Sequence, residues 1–239
     1  TGGCLQTWPA LTVPAGQTLP IPDGVDWVQA AAIPETFFTV WANLFGLGGA
    51  SRGQRALIHG GTSGIGTTAL MLCREFGIEA FATAGSPDKC AAIRELGGEA
   101  INYRDEPFPQ VIADKTAGQG VNVILDIMGA SYLNDNVSAL AMDGRLVMLG
   151  FLGGARANDI DLLAILGKRA VVTGSLLRAR TAAEKAAIAD QLQEHVWPAL
   201  SARRCLPIID KVYPLADAAQ DHARMEGGDH IGKIVLQVA

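Results

Sequence analysis

The stretch ALIHGGTSGIG at residues 56–66 decides the fold class of this chain. A short apolar run there ends in a glycine-rich loop, and residues 67–76 continue with the apolar periodicity of a helix. Glycines let backbone N–H groups approach a phosphate, and the dipole at the amino end of a helix favours an anion. A loop of this kind on its own is equally typical of a surface turn without a ligand. Its position between a predicted strand and a predicted helix favours a phosphate-binding loop.

Strands and helices alternate through the central part of the chain. Besides the strand at the start of the quoted stretch, the predicted strands are short and mostly apolar, and they cover residues 79–83, 100–103, 121–126, 145–149 and 170–174. Apolar strands that alternate with amphipathic helices indicate a parallel sheet with both faces covered. Six such strands predict a complete doubly wound sheet of the Rossmann type, an α/β fold that binds a dinucleotide.

The amino-terminal stretch differs from the centre in its composition. Residues 1–34 are rich in proline and glycine, which predicts short edge strands and turns rather than a core. Asp26 is a predicted N-cap for a helix that extends toward Leu47, with a kink or break at Pro34.

The last part of the chain predicts two strands and two helices. A long helix is expected over residues 181–203, where Thr181 and Glu184 stand at the spacing of a capping box. The elements expected after it are a strand at 208–212, a helix at 215–225 and a strand at 231–238.

Charge and composition exclude several classes of function. The 239 residues carry 19 Lys and Arg against 24 Asp and Glu, so the chain lacks the basic surface of a nucleic-acid-binding protein. No apolar run reaches the roughly eighteen residues that a membrane span needs, so no membrane partner is expected. The histidines and the four cysteines (Cys4, Cys73, Cys90 and Cys205) show no metal-ligand spacing. We therefore expect no metal site, and reduced, buried thiols in a cytoplasmic protein.

The spacing of the glycine loop is also similar to that of the short-chain dehydrogenases. That family depends on a Tyr-xxx-Lys pair. The residues four positions after the three tyrosines here are Pro107, Asn136 and Asp217, and none of them is a lysine. A long segment also precedes the first predicted strand, whereas the short-chain enzymes begin near it. The short-chain interpretation is therefore rejected.

Seven blocks of sequence carry a broader resemblance. They read AAAIPE (30–35), ALIHGGTSGIG (56–66), TAGS (83–86), INY (101–103), DIMG (126–129), TGSLL (173–177) and GKIVL (232–236). In this order they resemble the zinc-free quinone oxidoreductase (zeta-crystallin-like) branch of the medium-chain dehydrogenase/reductase family. The resemblance implies an oxidoreductase that transfers hydride from NADPH to a small quinone or conjugated enone without a metal. An enoyl or alkenal reductase of the same family and a non-catalytic NADPH-binding protein stay open as alternatives.

The resemblance also implies a domain organisation. Residues 1–34 correspond to the last part of a GroES-like catalytic barrel, most of which lies outside this sequence. Residues 35–177 correspond to the NADPH-binding Rossmann domain, and residues 178–239 to the return of the chain to the catalytic domain. Both chain ends therefore form the remnant of that domain. Because relatives commonly pair through the sixth strand, the resemblance implies a homodimer joined through residues 170–175.

The end of the second predicted strand indicates which nicotinamide cofactor is bound. An Asp or Glu at this point selects NAD through the ribose 2′-OH, but residues 83–86 are small and neutral. Lys89 supplies a positive charge that favours the 2′-phosphate of NADPH, although Asp88 can offset it. The resemblance adds Tyr103, with Arg104, to the 2′-phosphate pocket. The alternative role for Tyr103 is that of a buried aromatic residue at a strand end.

Further candidates come from the carboxyl ends of the other strands, where ligands bind in doubly wound sheets. The resemblance assigns residues 128–129 and 150–152 to the nicotinamide ribose and the pyrophosphate, residues 175–177 to the carboxamide, and Thr39 to the nicotinamide. A threonine bonded to its own helix is the alternative for Thr39. The complete set of cofactor-binding candidates is Thr39, Thr62, Ser63, Gly64, Ile65, Gly85, Ser86, Lys89, Tyr103, Met128, Gly129, Gly150, Phe151, Leu152, Ser175, Leu176, Leu177 and Lys233.

No residue is predicted to act as an acid, a base or a metal ligand. In the zinc enzymes of this superfamily a metal polarises the carbonyl, and one of their cysteine ligands stands at about the position of Glu35 here. A quinone or enone accepts hydride without that help, which leaves the protein to orient the reactants and to exclude water. Phe151, Leu152 and Leu177 are the candidates for an apolar wall beside the acceptor.

Overall fold

A parallel sheet of six strands lies at the centre of the computed structural model, which describes residues 15–238. Its strands in chain order are β1 (Arg55–Ile58), β2 (Glu79–Ala84), β3 (Glu99–Asn102), β4 (Val121–Asp126), β5 (Leu140–Met148) and β6 (Val171–Gly174). Their spatial order is β3-β2-β1-β4-β5-β6, and every neighbouring pair is parallel. This is the strand order of a doubly wound dinucleotide-binding sheet. The predicted fold class is confirmed.

Both faces of the sheet are buried in strands β1, β2 and β4, as expected for short apolar parallel strands. Leu57 packs with Phe81 and Ile124 on one face, whereas its neighbour Ile58 packs with Leu70 on the other. This alternation follows from the two-residue period of a strand. The helices that accompany the sheet are α1 (Trp27–Val40), α2 (Gly64–Phe76), α3 (Pro87–Glu95), α4 (Phe108–Lys115), α5 (Leu133–Ala139) and α6 (Leu162–Lys168).

The last part of the chain forms a second, smaller sheet. Its elements in chain order are α7 (Ala182–His195), α8 (Trp197–Ser201), β7 (Ile209–Pro214), α9 (Ala218–Gly227) and β8 (Lys233–Gln237). Strands β7 and β8 pair in parallel, with α9 as the crossover between them. Strand β8 also packs against α1, which brings this sheet next to the amino end of α2.

The helix predicted over residues 181–203 is in fact two helices, so that prediction is wrong. The capping box of Thr181 and Glu184 starts α7 as expected. The helix ends at His195, and Val196 has a φ of −108° before α8 begins. Pro198 lies in the first turn of α8, where its missing N–H costs no hydrogen bond, whereas it would have broken a continuous helix.

Two predictions about the amino-terminal stretch are contradicted, namely a helix break at Pro34 and the edge strands. Of the kink or break expected at Pro34, the break does not occur: Pro34 lies inside α1, where Ile33, Phe37 and Val40 are buried and their packing outweighs the local propensity. Residues 15–26 contain turns and no strand, and the first of these turns packs against α7 instead of pairing with a sheet edge. The rest of the predicted edge strands, residues 1–14, lies outside the described residues. Between residues 15 and 238, no helix combines the length and the apolarity that crossing a bilayer requires.

Candidate cofactor site

The glycine loop leaves β1 and enters α2 within one tight turn. Gly60 has a φ of 71°, in the left-handed region that suits glycine. A Cβ atom on Gly61 would lie 2.7 Å from the Cβ of Ala82, and one on Gly66 would collide with the carbonyl oxygen of Gly60. The Ser63 hydroxyl oxygen caps α2 by accepting a hydrogen bond of 3.0 Å from the Gly66 N–H. The loop thus brings the first turn of α2, whose N–H groups lack partners within the helix, to the carboxyl edge of the sheet.

The start of β8 lies directly against this loop. The Gly232 N–H donates to the Thr62 carbonyl at 2.8 Å, and Ser63 forms an isolated parallel bridge with Gly232. The Lys233 side chain lies over Gly64, because a Cβ atom on that glycine would meet its methylene groups. Thr62 is buried, whereas Ser63 and Gly64 are partly exposed. Residues from a distant part of the chain therefore cover one side of the loop.

The end of β2 brings four candidate residues together. Ser86 caps α3, since its hydroxyl oxygen accepts from the Lys89 N–H at 3.4 Å. The Lys89 ammonium donates to the carbonyl of Gly228. Tyr103 lies over Gly85, where a Cβ atom would be 2.8 Å from the tyrosine Cζ. Tyr103 is 45% exposed, which does not fit the buried role considered as its alternative.

The loops that follow β4 and β5 are held together above a buried carboxylate. Asp126 is fully buried, and its two oxygens accept from the N–H groups of Met128 at 2.7 Å and Gly129 at 3.0 Å. Burial raises the pKa of Asp126, while these backbone hydrogen bonds act in the opposite direction. Gly129 has a φ of 76°, and a Cβ atom there would lie 3.1 Å from the Cα of Phe151. Only glycine allows this close approach of the two loops.

A buried asparagine that the sequence analysis missed links two candidate residues. Helix α1 ends at Val40, and a π-helical segment, Trp41–Leu47, follows it directly. This segment contains Asn43. The Asn43 amide nitrogen donates to the Thr39 carbonyl at 2.7 Å, and its amide oxygen accepts from the Ser175 hydroxyl at 2.6 Å. Segments of π-helix are frequent at functional sites. The available signal in the sequence was a single polar residue within an apolar run.

A second buried polar group, His59, lies at the end of β1 beneath the loop. Its Nε2 is 2.7 Å from the Asn136 amide oxygen, and its Nδ1 is 3.1 Å from the Thr83 hydroxyl. The neutral ring therefore donates from Nε2 and accepts at Nδ1. Burial lowers the pKa of His59 to about 4. The rings of Phe108 and Tyr132 contact the imidazole edge-on, with centroids 4.8 and 5.0 Å away. The arrangement supports the end of the strand and keeps the imidazole from solvent.

The three residues predicted to form an apolar wall do not share one surface in the structure. Phe151 and Leu152 are 64% and 80% exposed, whereas Leu177 lines a cavity of about 350 Å³ beside α1. Pro34 and Phe38 line the same cavity. Leu176, next to Leu177, is a further exposed candidate. The remaining candidates, Ile65 and Gly150, are both partly exposed and belong to the glycine loop region and the loop after β5.

The strand order and the tight glycine loop together define a domain of the dinucleotide-binding class. Residues 64–193 match the family model described as zinc-binding dehydrogenase. Since the match covers more than half of the chain, the chain belongs to that family.

Two curated relatives narrow the family further. The chain is 28% identical over 224 residues to the quinone oxidoreductase of Rattus norvegicus, covering 92% of this chain and 65% of the rat protein. It is 32% identical over 244 residues to the phthioceranic/hydroxyphthioceranic acid synthase of Mycobacterium tuberculosis, covering 99% of this chain and 11% of the synthase. The chain thus spans less than two thirds of the first protein and about a tenth of the second.

Solved structures agree with this placement. An NAD-dependent alcohol dehydrogenase superposes with a TM-score of 0.83 at 28% identity, over 95% of this chain and 63% of its own. The JamJ enoyl reductase superposes with a TM-score of 0.78 at 26% identity, over 90% of this chain and 64% of its own. The predicted membership of the quinone oxidoreductase-like branch of the medium-chain dehydrogenase/reductase family is confirmed.

The described residues fit a dinucleotide but do not fit the zinc of the family name. Within residues 15–238, no three His, Cys, Asp or Glu side chains group together in a way that could hold a metal ion. The Glu35 carboxylate, at about the position of a family ligand, faces the Lys233 ammonium at 3.4 Å instead. The glycine loop, in contrast, has the close packing and the helix amino end that a pyrophosphate needs.

Proposed function

We propose that this chain is the cofactor-binding part of an NADPH-dependent reductase, which transfers hydride to a quinone or conjugated enone without a metal. The observation that carries the proposal is the neighbourhood of Gly85 at the end of β2. Neither Gly85 nor Ser86 offers a carboxylate, and Lys89 follows in the first turns of α3. A carboxylate there would bind the 2′-OH of NAD and repel a phosphate, whereas an ammonium attracts the 2′-phosphate.

In this proposal the dinucleotide lies along the carboxyl edge of the sheet. The pyrophosphate is assigned to residues 62–65 and Lys233, and the 2′-phosphate to Lys89 and Tyr103. The candidates after β4, β5 and β6 hold the nicotinamide half. The hydrogen bonds of Asp126 to the loop after β4 support this assignment, because they fix the loop backbone before any ligand arrives.

The proposal includes the organisation of the chain. Residues 35–177 form the cofactor domain, and residues 178–239 together with residues 1–34 belong to the catalytic domain. The separate β7–β8 sheet supports this division, since it shares no strand with the central sheet. The chain spans only part of the length of its relatives, and the activity of the whole protein is a proposal.

In the proposed reaction the side chains have positioning roles and no acid–base role. Bound NADPH supplies the hydride from its nicotinamide ring. The residues of the chain hold that ring in position and exclude water from the acceptor. Two electrons and one hydrogen pass to the acceptor as hydride, and a proton from water completes the reduced product. No side chain needs to act as a base in this reaction.

The cavity beside α1 is a proposed position for the apolar part of the acceptor. It is lined by Pro34, Phe38 and Leu177, and Glu35 connects it to Lys233 over the glycine loop. Its volume of about 350 Å³ lies at the lower end of the range for small-molecule sites. The apolar lining suits a quinone or enone better than a polar sugar or acid.

An enoyl reductase is the second candidate function. The likeness to the JamJ enoyl reductase favours it, since it extends over 90% of this chain. The acceptor in that case is a conjugated acyl group, whose double bond takes the hydride in the same way as an enone.

The homodimer implied by the resemblance is also part of the proposal. Strand β6 is an edge of the central sheet. Next to it, helix α6 exposes Leu162, Leu163 and Leu166, and Val171 on β6 is 37% exposed. An unpaired strand edge beside exposed leucines is unfavourable in water, and pairing with a second copy would cover both.

We propose a cytoplasmic location because the cysteines among the described residues are buried and unpaired. Cys73, Cys90 and Cys205 are buried and unpaired, and burial raises the pKa of Cys73 to about 12, which keeps its thiol protonated. Cys4 lies outside the described residues. Unpaired thiols of this kind are typical of a reducing compartment.

Titration with NADPH and with NADH tests the cofactor preference. We expect the wild type to bind NADPH at least about tenfold more tightly. The variant Lys89→Glu replaces a hydrogen bond to a charged group, worth about 1.5–3 kcal/mol, with a repulsion. Its NADPH affinity should therefore fall about 10- to 150-fold while its NADH affinity changes little. A wild type without preference contradicts the proposed cofactor.

A matched control distinguishes the effect of the charge at position 89 from the effect of the change in net charge. Lys115 lies at the end of α4 and pairs with Glu99 at 3.0 Å. Glu99 is the first residue of β3, so this pair lies at the amino ends of the strands, away from the proposed cofactor site at their carboxyl ends. Lys115→Glu makes the same change in net charge and should leave both affinities unchanged. If Lys89→Glu behaves like this control, Lys89 does not belong to the site.

Stopped-flow oxidation of NADPH distinguishes the functions. Faster oxidation by an ortho-quinone than by a conjugated acyl thioester supports the quinone reductase, and the reverse order supports the enoyl reductase. Tight binding of NADPH without oxidation by either acceptor supports the non-catalytic alternative.

A further inference from the structure

The end of α1 and the segment after β6 both contribute to the wall of the cavity beside α1. Phe38 of α1 and Leu177 of the segment line this cavity. Thr39 directly follows Phe38 in the chain, and Ser175 is the first residue of the segment, residues 175–177. Under the proposed function the segment holds the nicotinamide carboxamide. Its position therefore affects both the cofactor and the acceptor.

Asn43 connects these two parts of the wall. It is 1% exposed and lies in the π-helical segment that follows α1. Its amide nitrogen donates to the Thr39 carbonyl at 2.7 Å, and its amide oxygen accepts from the Ser175 hydroxyl at 2.6 Å. Removing a buried amide whose two ends are both used is costly, because the groups that it satisfies are left without partners.

The chemistry of the partners fixes the direction of both hydrogen bonds. The Thr39 carbonyl can only accept, so the amide nitrogen of Asn43 must face it. The amide oxygen then faces Ser175, whose hydroxyl must donate its single proton. The Ser175 N–H is also used, since it donates to the Met148 carbonyl at 3.2 Å and extends the pairing of β5 with β6. Both donors of Ser175 are thus committed within the protein, which fixes the orientation of this residue.

The residues on either side of Ser175 make such an anchor necessary. Gly174, which precedes it, has no side chain to pack, and Leu176, which follows it, is 67% exposed. The chain then forms a short 3₁₀ turn, Leu177–Ala179. The hydrogen bond from Ser175 to Asn43 therefore anchors the segment to the buried end of the α1 region.

We infer that Asn43 is a positioning residue, which acts through Ser175 to hold residues 175–177 against the nicotinamide ring of the bound cofactor. The inference rests on the proposed function and adds to it a residue that contacts neither the cofactor nor the acceptor. Without Asn43 the segment would sample more orientations, and part of the binding free energy of the nicotinamide would be used to order it. The 2′-phosphate end of the cofactor is assigned to the neighbourhood of Lys89, and its binding should not change.

Titration of the full chain with NADPH and with 2′-phospho-ADP-ribose tests the inference. The second ligand lacks the nicotinamide, so the ratio of the two dissociation constants isolates the contribution of the ring. We expect the wild type to bind NADPH at least about tenfold more tightly than 2′-phospho-ADP-ribose. Asn43→Ala should weaken NADPH binding about tenfold and leave the affinity for 2′-phospho-ADP-ribose unchanged. Calorimetry measures both affinities.

The matched control removes an asparagine amide at the other edge of the sheet. The Asn122 amide oxygen accepts from the Arg55 N–H at 2.9 Å, near the amino ends of β4 and β1. Asn122→Ala therefore also removes a hydrogen bond between a side-chain amide and the backbone. It should leave the ratio of the two affinities at the wild-type value.

A second variant removes the same contact from its other end. Ser175→Ala should reproduce the selective loss of NADPH affinity. The double variant Asn43→Ala/Ser175→Ala should lose no more than the larger of the two single losses, because both changes remove one shared interaction. Losses that multiply would show that the two residues act separately, which overturns the inference.

The remaining outcomes separate this inference from the proposed function. A wild type that binds neither dinucleotide overturns both. A wild type that prefers NADH overturns the proposed cofactor, and NADH with ADP-ribose then tests Asn43 in the same way. A wild type that prefers NADPH to NADH but binds 2′-phospho-ADP-ribose as tightly as NADPH overturns the inference and leaves the cofactor proposal standing.

Thermal unfolding of each variant distinguishes positioning from a purely structural role. Lower stability of Asn43→Ala with an unchanged ratio of affinities overturns the inference, as do equal losses for both ligands. If Asn43→Ala does not fold, Ser175→Ala decides alone, because Ser175 is partly exposed and its hydroxyl is the other half of the same hydrogen bond. An unchanged ratio in that variant overturns the inference.

Discussion

Replacing His59 with Gln should make the free energy of unfolding of this protein less sensitive to acidic pH. The imidazole is 2% exposed and has a pKa of about 4 in the folded chain, against an ordinary value of 6.5. The unfolded chain therefore takes up a proton at a higher pH than the folded chain does. The stability that depends on neutral His59 is fully present above pH 6.5 and is lost as the pH falls toward 4.

The size of the effect follows from the distance between the two pKa values. Each pH unit between them removes about 1.4 kcal/mol of folding free energy, which amounts to about 3 kcal/mol in all. This is a large share of the stability of about 5–15 kcal/mol that is usual for a folded protein. The variant also loses its hydrogen bonds to Thr83 and Asn136, at a cost of about 1–3 kcal/mol that does not depend on pH.

Urea unfolding of the wild type and His59→Gln at several pH values from 8 to 4.5 measures this quantity. The variant should be less stable at pH 8, but its stability should fall less steeply below pH 6.5. The control His222→Gln removes an exposed imidazole and should retain the wild-type slope. As an independent measurement, the ring resonances of His59 should not titrate between pH 8 and pH 5. Parallel stability profiles for the wild type and His59→Gln would refute the reasoning.

Three further substitutions test the packing of the glycine loop and the proposed dimer interface. Gly66→Ala should destabilise the protein by about 1–3 kcal/mol, because its Cβ would meet the Gly60 backbone, whereas Gly64→Ala should cost less than about 1 kcal/mol, because it displaces mainly the flexible Lys233 side chain. Thermal unfolding compares the two, and equal losses would contradict this explanation. Leu166→Asp should convert the proposed dimer into a monomer in light scattering with little change in thermal stability, and a dimer that survives the change would remove α6 from the interface.

The central sheet could be predicted from the sequence because its signals are local. Strand β4 occupies residues 121–126 as predicted, since a buried parallel strand is a continuous apolar run. The glycine loop was equally clear, because only small residues fit the turn before α2. Strand β5 begins at Leu140, earlier than the predicted start at residue 145. Asp143 followed by a glycine is typical of a turn, so the sequence pattern does not indicate a strand there. In the structure Asp143 has a φ of 60° within the strand.

The polar contacts of the site could not be predicted, because their partners are far apart in the chain. Asn43 and Ser175 are 132 positions apart, and neither residue alone indicates the other. His59 and Asn136 lie in separate predicted elements, and their pairing depends on the order of the strands. A single sequence locates the carboxyl edge of the sheet, but it does not show which side chains meet there.

The bridge between Ser63 and Gly232 also has a consequence for the order of events during synthesis. The loop emerges from the ribosome early, whereas the segment that closes it follows only after all six strands of the central sheet have been made. A chain that ends before Gly232 lacks the strand that covers one side of the glycine loop, although the buried residues of α7 and α8 that complete the central core are already made. We therefore expect a stop codon just before Gly232 to abolish binding of the dinucleotide, which makes the last segment of the chain to be synthesised the one on which binding depends.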